Sequence, residues 1–174
     1  FKGNKELIEI IGQAIDDEYI KELTTISLSP EAISRHKDMK IVYTPIHGTG
    51  VKLVPAALKA YGFTNIIHVP EQDVVSGDFP TVISPNPEEP AALAMAVEKA
   101  KETDAELVMA SDPDADRVGA AVKNNEGEWV LLNGNQTALM FVYYLITRWK
   151  ELGKINGKEY IVKTIVTTEA IKTI

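Results

Sequence analysis

The chain has 174 residues, 45% of them apolar and 25% charged, which is enough for one good core and part of a second domain. Its net charge of −7, from 25 acidic against 18 basic residues with no basic run, argues against a nucleic-acid partner. No stretch reads as a transmembrane helix or signal peptide, so no membrane partner is expected. The absence of cysteine excludes disulfides, thiolate catalysis and zinc–thiolate sites, and fits a reducing, cytoplasmic setting.

Residues 5–28 carry a helical pattern, with Leu7, Ile10, Ile11, Ile15, Tyr19, Ile20 and Leu23 recurring at three and four. Gly12 and the triplet Asp16-Asp17-Glu18 are expected to divide it. Ser29-Pro30 can start a further short helix. From Lys40 the pattern turns α/β. Ile41-Val42-Tyr43 reads as a strand, residues 51–61 as a helix closed by Gly62, and Ile66 to Val69 as a second strand. Residues 70–87 lack periodicity and form a long loop, and residues 88–102 form a helix with Leu93, Val97 and Ala100 on one face. Leu107 to Ala110 and Val118 to Val122 are strands. Asn124-Asn125-Glu126-Gly127 is a hairpin-type turn leading to a strand at Trp129–Leu132. Residues 135–150 form a largely apolar helix, expected to be buried between layers or domains, and Tyr160 to Val166 is strand-like. This order predicts an α/β fold: a three-layer α/β/α domain with a mainly parallel sheet plus a β-hairpin.

The most informative segment is Ser111-Asp112-Pro113-Asp114-Ala115-Asp116-Arg117. It places three carboxylates at i, i+2 and i+4 on a tight loop at the end of a strand, followed directly by an arginine. Carboxylates this close repel one another, and a hard divalent cation offsets that repulsion. A simple cation site has no use for a guanidinium, whereas a site that also handles phosphate does. Metal and arginine on one loop point to phosphoryl chemistry. Two rivals stand beside that reading. One is a merely solvated acidic turn. The other is an EF-hand calcium loop, which fails because Arg117 and Lys123 occupy the positions that need Gly and Glu.

Two more loops bear on chemistry. Thr44-Pro45-Ile46-His47-Gly48-Thr49-Gly50 joins a strand to a helix, and its glycines can present backbone N–H groups to an anion. The plainer alternative is a tight turn in which Gly48 and Gly50 supply positive φ. His47 sits on this loop and is the histidine of interest, His36 and His68 having no partner pattern. Gly77 to Glu88 is stiffened by prolines, and Asn86 can cap the next helix, so a rigid capped connection is the favoured reading.

In order along the chain, Thr44 to Gly50, Pro80-Thr81-Val82, Pro85-Asn86-Pro87-Glu88-Glu89, Ser111 to Arg117 and Leu132-Asn133-Gly134-Asn135-Gln136 resemble the α-D-phosphohexomutases, closest to the phosphoglucomutase/phosphopentomutase-like branch. The resemblance covers residues from about 15 to the end. It implies a phosphosugar mutase in which a phosphoserine exchanges phosphate with a hexose or pentose phosphate through a bisphosphate intermediate. It implies that Asp112, Asp114 and Asp116 are Mg²⁺ ligands, that Arg117 stabilises the transferring phosphoryl group, and that His47 has a supporting role. The phosphoserine loop, the sugar-reading loop and the C-terminal phosphate loop of that family have no counterpart in this sequence. The expectation is therefore a fragment, inactive alone: a helical tail at 1–35, a metal-loop α/β domain like the family's second domain at 36–153, and the start of a following domain at 154–174. A stand-alone module binding a metal or a partner protein is the competing class.

Overall fold

The computed structural model describes residues 3–174; Phe1, where the expected tail begins, lies outside the described residues. Short 3₁₀ turns at Lys5–Leu7 and Glu169–Thr173 flank ten regular elements. In chain order these are α1 (Gly12–Thr25), α2 (Pro30–Arg35), β1 (Lys40–Thr44), α3 (Gly50–Tyr61), β2 (Asn65–His68), α4 (Pro90–Thr103), β3 (Leu107–Ser111), β4 (Val118–Lys123), β5 (Trp129–Leu132) and α5 (Gly134–Glu151).

The strands form one mixed sheet in the order β2-β1-β3-β4-β5. Strand β1 runs parallel to both β2 and β3, while β4 and β5 extend the sheet as antiparallel neighbours. The centre is β1, whose Ile41, Val42, Tyr43 and Thr44 are all buried, as expected for a strand covered on both faces. Successive side chains of a strand point to opposite faces. On one face Val42, Val108 and Ala110 meet Ala92, Leu93, Ala96 and Ala100 of α4. The alanines let that helix lie close to the sheet. On the other face Tyr43 lies under Gly50 at the start of α3. Helix α1 packs on α3 as an outer layer, with an ion pair between Asp16 and Lys52.

Local chemistry sets the element ends. Gly62 has φ of 116°, and with Phe63 it returns N–H bonds to Lys59 and Leu58, closing α3. Asp104 closes α4 in the same left-handed region. Asn133 and Gln136 form a reciprocal capping box that starts α5. The Leu132 to Gln136 segment thus has a clear local task.

Three expectations are corrected. The helical pattern of 5–28 is one helix that begins at Gly12 and runs through the acidic triplet, and its apolar residues at 7, 10, 11, 15 and 19 are exposed. Helix α5 is not buried: Thr137 is its one buried residue, and Phe141 and Tyr143 are 51% and 63% exposed. Residues 160–166 form no strand, because among the described residues no edge pairs with them.

Candidate metal centre

The acidic loop is the turn between antiparallel neighbours β3 and β4, closed by the pairing of Ser111 with Val118. Asp112 follows β3 directly and is buried, whereas Asp114 and Asp116 are exposed. The Ala115 amide donates to the Asp112 carbonyl at 3.0 Å, and Ala115 itself takes a left-handed φ of 60°. That bend gathers the three carboxylates, each offering an oxygen within 4.8 Å of the others.

Arg117 closes on the first of them. Its backbone N–H donates to Asp112 Oδ1 at 2.9 Å, and its Nε donates to Asp112 Oδ2 at 2.7 Å. Burial pushes the Asp112 carboxyl up, but the amide and guanidinium of Arg117 outweigh burial and hold it below the ordinary carboxylate range. Asp116 goes the other way, raised first by its hydrogen bond with Asp112 and then by the charges of Asp114 and Asp112. Three carboxylates against one guanidinium leave two negative charges on the loop. This all-oxygen donor set with a double negative surplus fits a hard divalent cation.

The glycine-containing loop is stapled to this turn. Thr49 donates to the Pro113 carbonyl twice, from N–H at 2.9 Å and from Oγ1 at 3.1 Å. Gly48 is there for proximity: a Cβ would stand 2.7 Å from the Pro113 carbonyl oxygen. Gly50 is similarly constrained, with a Cβ placed 2.7 Å from Ser111 Oγ. The expected positive φ at these two glycines falls instead on Ile46 and His47, at 47° and 62°. At the floor of the site the Tyr43 hydroxyl pairs with Ser111 Oγ at 2.8 Å, and burial pushes the phenol up to about 12.

His47 does not reach the carboxylates. It is buried, with Nδ1 donating to the Val74 carbonyl and Nε2 paired with Thr81 Oγ1, both at 2.8 Å. Gln72 continues the chain, donating to Thr81 at 3.2 Å and accepting from Thr44 at 2.7 Å. The histidine therefore ties residues 72–81 to the end of β1. Asn86 is not the cap of α4, whose N-cap is Glu89. Its side chain instead accepts from Glu88 N–H at 3.1 Å and from Arg117 Nη1 at 3.4 Å. Residues 72, 81 and 86 gave no sequence signal of these contacts, since each requires two distant segments to meet.

The sequence profile described as "Phosphoglucomutase/phosphomannomutase, alpha/beta/alpha domain II" matches residues 17–127, more than half of the chain. The chain belongs to that family. "Probable phosphoribomutase" of Schizosaccharomyces pombe is 41% identical over 138 residues, covering 79% of this chain and 23% of that protein. "Phosphoglucomutase" of Staphylococcus haemolyticus is 33% identical over 171 residues, covering 95% of this chain and 30% of that protein. This phosphoglucomutase/phosphomannomutase-family chain thus spans less than a third of the length of either relative. Among solved structures, a phosphoglucomutase/phosphomannomutase family protein from Burkholderia thailandensis superposes with a TM-score of 0.60 at 24% identity. That match covers 77% of this chain and 26% of the other, and shows the shared fold. Among the described residues no helix is long and apolar enough to cross a membrane.

Proposed function

We propose that this chain is the metal-loop domain of a phosphosugar mutase, a cytoplasmic isomerase that moves phosphate between positions of a hexose or pentose phosphate through a phosphoserine and a bisphosphate intermediate. The observation that carries the reading is the set of three carboxylates within 4.8 Å of one another, with Arg117 seated on the buried one. Asp112, Asp114 and Asp116 would hold Mg²⁺, which when bound supplies Lewis-acid charge for a phosphoryl oxygen. Asp112 is pre-oriented by the two Arg117 bonds. Arg117 Nη2 has no hydrogen-bond partner among the described residues and is free to grip an anionic oxygen. His47 supports the site by holding the 72–81 segment. The names of the two relatives support pentose and hexose phosphates as the substrate class. Their greater length supports a division of labour in which residues 36–153 form the metal domain, flanked by a tail at 1–35 and the start of another domain at 154–174.

The test is titration of the chain with Mn²⁺, read as paramagnetic broadening of backbone amide resonances. Broadening should centre on residues 112–117, be reversed by excess Mg²⁺, and vanish in Asp114→Asn. Binding should be weak, because Mg²⁺ keeps several waters and leans on a substrate phosphate. In a mutase carrying this domain, Asp114→Asn should lower kcat by about 100-fold or more, the size of a lost electrostatic stabiliser. Broadening spread evenly over the acidic surface would remove the loop from the mechanism.

A further inference from the structure

Arg117 is held from two sides. Asp112 fixes its Nε at 2.7 Å, and Asn86 Oδ1 faces its Nη1 at 3.4 Å. A single bond at Nε leaves the guanidinium free to swing about its own stem, and a second on Nη1 defines a plane. Asn86 is itself prevented from turning over. Its Nδ2 donates to Glu89 Oε1 at 3.2 Å, and the same oxygen accepts from Ser84 Oγ at 3.0 Å. Its Oδ1 is engaged by the Glu88 amide at 3.1 Å. The carboxamide oxygen must therefore face Arg117. The segment is also set in depth. The Pro87 carbonyl lies against Gly119 of β4 so closely that a Cβ there would stand 2.8 Å from the Pro87 carbonyl carbon.

We infer that Asn86 is a positioning residue that sets the plane of the Arg117 guanidinium and aims Nη2 at an incoming phosphoryl oxygen. The Pro85–Glu89 segment is then part of the site rather than a mere connection into α4. The role of that aimed nitrogen rests on the phosphosugar reading above, while the setting of the plane does not.

The two parts are tested separately on the 174-residue chain. Rotation about the Arg117 Nε–Cζ bond is measured by NMR exchange between Nη1 and Nη2. Asn86→Ala should speed rotation about tenfold, the size of one charge-assisted hydrogen bond. The Asn86→Asp/Glu89→Gln double variant exchanges the donor and acceptor partners but keeps the bonds, so it should restore slow rotation. Gly119→Ala touches neither residue and should release the guanidinium by displacing Pro87. Unchanged rotation in Asn86→Ala, with amide spectra showing an intact fold, overturns the inference. Faster rotation in Asn86→Ala that the double variant fails to slow also overturns it, because the effect is then general loosening. Inorganic phosphate is the second probe, and its affinity should fall about tenfold in Asn86→Ala. Released rotation with unchanged phosphate affinity supports the positioning and overturns the anion-gripping role of Arg117.

Discussion

Alkaline pH should weaken this fold through Tyr43, and Tyr43→Phe should remove that sensitivity. Tyr43 is 1% exposed, and burial raises its phenol from 10.0 to about 12. Between those values the unfolded chain has lost the proton and the folded chain keeps it, so stability falls as pH rises. The contribution is complete below pH 10 and disappears as pH passes through about 12, with a total loss of about 2.7 kcal/mol. At neutral pH the substitution acts in the opposite sense. It removes the hydrogen bond to Ser111 Oγ at 2.8 Å, which should cost about 1 kcal/mol. Wild type should therefore be the more stable protein at pH 7 and the less stable one at pH 11.5, with the curves crossing near pH 11, on the order set by these two quantities. Urea unfolding of both proteins from pH 7 to 11.5 measures the difference. All other side chains are common to the two proteins and cancel in the difference. A constant difference across that range would show that Tyr43 ionises as a solvated phenol, and the closed floor described for the site would be wrong.

Gly48→Ala should destabilise the chain by about 1–3 kcal/mol, the usual range for overpacking, because the new methyl meets Pro113 backbone rather than a movable side chain. The same variant should weaken Mn²⁺ binding by displacing the turn that carries Asp112 and Asp114, measured by the broadening titration; an unchanged Mn²⁺ affinity would break the link between the two loops. Mixed with Mg²⁺, a sugar phosphate and a bisphosphate activator, the 174-residue chain should give no mutase turnover above an Asp114→Ala control. It carries no phosphoserine loop of the family's pattern, so a coupled assay that detects turnover would refute the mechanism.

The sheet was legible because its central strands are covered on both faces and leave nearly unbroken apolar runs, as in Ile41-Val42-Tyr43. The turn at 124–127 and the Gly62 stop were legible because each is specified within a few residues. The carboxylates at 112, 114 and 116 could be read as a group for the same reason, and the structure brings their oxygens together. Burial was not legible for α5, since an apolar helix signals that a surface can be covered and not what covers it. The strand-like run at 160–166 failed similarly, because a strand needs a neighbour that periodicity cannot supply. Gly48 was read as a conformational residue and is a spatial one. That difference depends on Pro113, 65 positions away. The contacts of His47 and Asn86 were not legible for a related reason: their partners lie on other segments, at Val74 and Thr81 for the first and Arg117 for the second, so that only the capping role expected of Asn86 is overturned.

The pairing of Ser111 with Val118 places Asp112 and Arg117 at the neck of a hairpin, facing each other as the chain leaves one strand and enters the next. Their ion pair is therefore a product of strand register, largely independent of what the four residues between them are. The neck and the tip are separable modules. On the metal reading proposed above, positions 113–116 are where cation preference can be rewritten, while the neck keeps one carboxylate buried and one guanidinium aligned.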